Sequence, residues 1–108
     1  MDELLDRAFG DRELARDMAN MFIAGITICL ESISNALATG DSAALTRSAH
    51  KLKGSAATIA LSSLSAVALK IESLAEAGDL ESVGQLLPEL EEQIEQGVEA
   101  LRNMLVTL

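Results

Sequence analysis

The sequence has no tryptophan and no tyrosine, and only two phenylalanines, Phe9 and Phe22. Strands draw on aromatic and β-branched residues, so this poverty argues against a sheet. A single proline, Pro88, interrupts 108 residues. The lone cysteine, Cys29, excludes an intramolecular disulfide. It lies in an apolar helical pattern and reads as a buried small hydrophobe. Eight basic residues stand against seventeen acidic ones, a formal net charge of −9. That balance offers no broad basic face and excludes a nucleic-acid partner. No apolar run approaches the roughly 20 residues of a membrane span, so no membrane contact is expected. The start, Met1-Asp2-Glu3, is acidic and lacks the basic-then-apolar order of a signal peptide. A cytoplasmic protein is the simplest reading. One histidine and one buried cysteine make no metal-ligand set.

What is present is leucine and alanine, both strong helix formers, in a chain that is 49% hydrophobic. The length suits one domain over residues 1–108. Residues 1–9 form a short amphipathic start with Leu4, Leu5, Ala8 and Phe9, broken at Gly10-Asp11. Asp11 caps a helix to about Thr39, with Phe22, Ile26, Cys29, Ile33 and Leu37 at three- and four-residue spacing. Gly40 ends it, and Asp41 or Ser42 caps the next. Leu45, Ala49, Leu52, Ala56 and Ile59 form that helix's core stripe, and Ser62-Ser63 marks its end. Leu64, Val67, Ala68, Ile71, Leu74 and Ala75 line a further helix, closed by Gly78. Asp79 caps the last, in which Pro88 predicts a kink or local irregularity. Four long helices with short turns predict an all-α, antiparallel up-down-up-down bundle with a short additional N-terminal helix.

The chemistry concentrates in Ser48-Ala49-His50-Lys51-Leu52-Lys53-Gly54-Ser55, which holds the only histidine. An imidazole titrates near neutral pH and has a nucleophilic ring nitrogen. From Ser42 to Ile71 there is no acid, while Arg47, Lys51, Lys53 and Lys70 are cationic. From Glu72 to Glu99 there are nine acids and no base. A basic island on an acidic protein steers and holds an anion or an acidic partner. Helical geometry turns His50 about 140° from the core stripe, towards solvent. Ala43, Arg47, Gly54 and Ala57 share its face, and Lys53 lies one turn on. A mid-helix glycine costs roughly 1 kcal/mol against alanine, so Gly54 reads as clearance for an approaching group. A Ser-His-Asp arrangement needs an acid to orient the ring, and none follows the cap in this helix. A second surface, with Leu14, Met18, Met21, Gly25 and Ile28, either docks an apolar partner helix or is buried by residues 4–9.

Ala49-His50-Lys51-Leu52-Lys53-Gly54-Ser55 resembles the motif of the histidine-containing phosphotransfer (HPt) domain of multistep phosphorelays. The family pattern reads Ala-His-x-Leu-Lys-Gly-Ser. Phe22, Gly40-Asp41, Leu69-x-x-Glu72 and Ala77-Gly78-Asp79-Leu80 extend the resemblance over nearly the whole chain. It implies a monomeric bundle with His50 as phosphoacceptor, taking a phosphoryl group from a receiver phosphoaspartate or a kinase and passing it to another receiver. Lys53 then stabilises the phosphoryl group, with Lys51 and Arg47 adding charge, and Gly54 gives clearance. Receiver domains of response regulators or hybrid histidine kinases are the implied partners. The chain itself needs no cofactor, and magnesium comes with the receiver's acidic pocket. Two positions depart from the pattern. Ala60 stands where the family usually has glycine, and Lys51 where threonine is frequent. Two other readings stay open: the phosphoacceptor domain of a chemotaxis-type kinase, and a partner-binding bundle without phosphorylation. The dimerising histidine-kinase module is disfavoured, because it sets an acid and a proline near its histidine and Ala49-His50-Lys51 has neither.

Overall fold

The computed structural model describes Leu4, Ala8 and residues 10–107. Four helices follow in order: α1 Arg12–Thr39, α2 Ser42–Thr58, α3 Ser62–Glu76 and α4 Leu80–Thr107. The described residues contain no strand. At 1.5 Å per residue, the two helices of 28 residues span about 42 Å. That matches the long axis of the molecule, 41 Å, while the other axes, 19 and 17 Å, are two helices wide. Connections this short make successive helices antiparallel neighbours. Each helix packs on the next and α4 returns to α1, which closes the bundle. The expected N-terminal helix falls mostly outside the described residues. Of it, Leu4 and Ala8 are buried, and the Ala8 amide donates to the Leu4 carbonyl oxygen at 3.0 Å.

The core follows the apolar stripes. Leu45, Ala49, Leu52 and Ala56 of α2 are buried, with Ile59 just beyond. They meet Phe22, Ile26 and Ile33 of α1 and Leu64, Val67 and Ile71 of α3. Asp11 and Asp41 cap their helices by accepting from Leu14 N–H and Ala44 N–H at 3.1 and 3.0 Å. Asp79 accepts from Ser82 N–H at 3.2 Å. Helix α4 continues unbroken through Pro88. The proline removes one donor from the ladder without ending the helix. Helix α1 is long and apolar enough to cross a membrane by length and composition, contrary to the expectation of no such segment. Its apolar residues divide between the bundle core and an outward face carrying Met21 and Ile28.

The same turn closes α1, α2 and α3. After α1, the Gly40 amide bonds the Leu37 carbonyl and the Asp41 amide bonds that of Ala36. After α3, Gly78 bonds Ala75 and Asp79 bonds Leu74. After α2, Ala60 bonds Ala57 and Leu61 bonds Ala56. Each is a Schellman motif, which needs a left-handed residue at its centre. Gly40 and Gly78 take that conformation freely, but Ala60 takes it with φ +64°. The break expected at Ser62-Ser63 therefore lies earlier, at Ile59–Leu61, and the two serines open α3. Left-handed backbone costs a residue with a Cβ roughly 1–2 kcal/mol, against about 0.4–1 kcal/mol that glycine loses through its freer unfolded chain. Ala60→Gly should stabilise the domain by about 0.5–1 kcal/mol and raise Tm by about 2–8 °C. A thermal melt checks this, and a lowered Tm would show that the alanine methyl packs better than its backbone costs.

Candidate functional site

Helix α2 places the site because its stripe is fixed in the core. Ala49 and Leu52 are buried, and His50 between them turns outward with its side chain 66% exposed. The ring leans across to α3, where Nδ1 lies 2.5 Å from Glu72 Oε2. A carboxylate can only accept, so Nδ1 carries the proton and donates it. Nε2 is left with its lone pair and has no partner among the described residues.

An acid therefore orients the ring after all. It comes from the neighbouring helix rather than from the histidine's own. Glu72 is 8% exposed and is the one buried charged residue among those described. It sits beside Ile71 and one turn from Ala68 and Ala75, on the buried side of α3. Its other oxygen, Oε1, accepts from Lys53 Nζ at 2.8 Å. The Lys53 bond is the main cause holding this carboxyl below its usual range; burial opposes it and the His50 bond adds to it. A buried carboxylate is tolerated when both its oxygens are engaged in this way. Ser65 Oγ of α3 donates to the Lys53 carbonyl oxygen at 3.1 Å, tying the two helices together at this level.

The remaining candidates divide between two sides of α2. Gly54 and Lys51 are exposed and line a groove of about 800 Å³ between α1 and α2, with His50 at its edge. A Cβ on Gly54 would meet nothing within 4 Å. Across the groove, Met21 is 75% exposed and Ile28 67% exposed; the segment expected to cover this face, residues 4–9, lies mostly outside the described residues. Met18 is half-buried and packs against the core. Cys29 also lines the groove, half-buried rather than fully buried, with Sγ 3.9 Å from the Ser48 carbonyl oxygen. Burial pushes its thiol up, and Lys51 acts the other way. Ala57 lies elsewhere, in a shallow depression with Lys53 and Leu69. Arg47 and Ala43 are exposed and line neither hollow. Among the described residues no three His, Cys, Asp or Glu side chains converge on a point that could hold a metal ion.

The family model of the Hpt domain matches residues 17–104. The chain belongs to the Hpt family. The matched span takes in the motif helix α2, the orienting Glu72 and most of α1 and α4. Hpt domains carry phosphoryl groups in two-component signalling, so the chain is a phosphotransfer domain of a phosphorelay. Its fold is similar to the crystal structure of the HPT domain from an Hpt sensor hybrid histidine kinase of Shewanella. The TM-score is 0.86 at 24% identity, over 99% of this chain and 92% of that one. No match is found among curated proteins.

Proposed function

We propose that His50 Nε2 accepts a phosphoryl group from the aspartyl phosphate of a receiver domain and passes it to the aspartate of another. The observation that carries this reading is the ring itself. Its Nδ1 is tied to Glu72, and its Nε2 faces solvent on the Hpt motif helix. A phosphoryl group on that nitrogen brings about two negative charges. Lys53, held beside the ring by the same carboxylate, offsets them; Lys51 and Arg47 add a weaker, screened contribution from exposed positions. The groove takes an apolar helix of the receiver against Met21 and Ile28, with Gly54 leaving room next to His50. Magnesium belongs to the receiver's acidic pocket, where it neutralises the transferring group. The protein acts as a cytoplasmic monomer.

Two lysines test the charge ranking. Lys53→Ala should slow transfer from a phosphorylated receiver by about 100-fold, the lower end of what the loss of one positioned donor at a transferring group costs. Helix content should not change. Lys51→Ala should slow it by no more than about threefold, as expected of a solvated charge. Stopped-flow transfer kinetics read both. An equal or larger loss at Lys51 would contradict the ranking.

A further inference from the structure

The groove between α1 and α2 has two banks of opposite charge. On α2, Lys51 lines it, and no acid occurs anywhere in that helix. On α1, the acids are Glu13, Asp17 and Glu31. At about 100° per residue they all fall about 80–120° to the outer side of Gly25, just beyond Met21 and Ile28. The bases of α1, Arg12 and Arg16, fall about 140° or more from Gly25, away from the groove. Glu13 has a local reason for its place, since it lies in the first turn, where the helix dipole favours an acid. Asp17 and Glu31 have no such reason. Both are exposed, no base stands one turn away on α1, and among the described residues neither makes an ion pair.

The seam between the banks fits a helix. Met18, Met21, Gly25, Ile28 and Ser32 line it at alternating steps of three and four residues. That is the pattern by which one helix packs along another, here over about 21 Å. A glycine stands on each wall, Gly25 on α1 and Gly54 on α2, and a Cβ on either would meet nothing within 4 Å. Glycine weakens a helix interior, and no neighbour among the described residues requires it at either place. A helix laid in the seam therefore comes close enough for both its edges to reach the banks. We propose that the banks sort receivers by charge: the docking helix carries acids along the edge that meets Lys51 and bases along the edge that meets Asp17 and Glu31. This rests on the reading of the groove as the receiver's seat. An apolar seam alone would take a helix in either direction. Turned end for end with its apolar face still down, a helix charged in this way exchanges its edges and meets like charge on both banks. Only one direction is favoured, and His50, at the edge of the groove, then meets the same end of the receiver each time. Charge arranged across a rim gives selectivity and encounter rate more than raw affinity.

The probe is a receiver domain that exchanges phosphoryl groups with the wild type, titrated unphosphorylated by calorimetry. An exposed ion pair is worth up to about fivefold in affinity, and reversing one partner adds repulsion. Asp17→Lys combined with Glu31→Lys should therefore weaken binding by about tenfold or more at about 0.05 M salt. Near 1 M salt, where the Debye length is about 3 Å, the loss should shrink to about twofold or less. Asp17→Asn with Glu31→Gln should lie between this variant and wild type. Glu95→Lys with Glu99→Lys makes the same change in net charge at exposed positions of α4 outside the groove, and should not weaken binding. Met21→Asp, in the seam itself, should abolish measurable docking. Wild-type affinity in both Asp17/Glu31 variants alongside a loss in Met21→Asp would overturn the charge sorting and leave the docking reading in place. Equal weakening by the α4 variant would do the same. Full affinity in Met21→Asp would overturn the docking reading and this inference with it.

Discussion

His50→Gln should accept no phosphoryl group from a phosphorylated receiver while keeping the fold of the wild type. The ring is two-thirds exposed and contributes nothing to the core formed by Leu45, Ala49, Leu52 and Ala56. Its one bond among the described residues is to Glu72, which keeps Lys53 as a partner when the ring is gone. The change in stability should stay within about 1.5 kcal/mol, the net worth of the one hydrogen bond lost at Glu72, which is several degrees in Tm. No other histidine exists to take over. Acid-labile, base-stable label should therefore vanish completely. Label persisting on the variant would place the acceptor on another residue. A large fall in Tm would mean that the His50–Glu72 bond is structural, and lost transfer would then say little about chemistry.

Gly54→Leu should weaken receiver binding and transfer by about tenfold or more, which is about 1.4 kcal/mol, without harming the isolated domain. Gly54 lies one turn beyond His50, on the wall of the α1–α2 groove. Open space surrounds its Cβ position, so leucine enters without displacing a neighbour. In an exposed helix interior, leucine is better than glycine by up to about 0.8 kcal/mol, so Tm should hold or rise. The same side chain then fills room that a docking receiver needs. A calorimetric titration with the receiver reads the first effect and a thermal melt the second. Unchanged affinity and rate would remove the clearance role of Gly54. A collapsed Tm would mean that Gly54 packs against another helix.

The bundle and the outward turn of His50 were legible because both depend on periodicity within one helix. The stripe Leu45, Ala49, Leu52, Ala56, Ile59 is buried at every position, and the angle from it to His50 follows from 3.6 residues per turn. Asp11, Asp41, Gly40 and Gly78 marked helix ends through side-chain chemistry and left-handed backbone, which are also local. Glu72 was not legible as the orienting acid, because its meeting with His50 depends on the register between α2 and α3. A signal was present: Glu72 interrupts the buried side of a helix, next to Ile71 and one turn from Ala68 and Ala75. A lone carboxylate in that position calls for a partner on the helix packed against it. The break after α2 lies at Ile59–Leu61 rather than at Ser62-Ser63 because no turn residue marks it. Alanine is not a turn residue, and Ala60 takes the left-handed role that glycine has in the other two turns. Whether Met21 and Ile28 stay exposed depends on how the N-terminal segment packs, which periodicity does not determine.

The most direct test of the account is to locate the phosphoryl group. Uniformly ¹⁵N-labelled protein is phosphorylated by a receiver charged with a small-molecule phosphodonor, and one-bond phosphorus–nitrogen coupling is then read by NMR. The account predicts a single phosphorus signal coupled to His50 Nε2, with Nδ1 still protonated. Coupling to Nδ1, or a phosphorus signal from a carboxylate or hydroxyl, would contradict it.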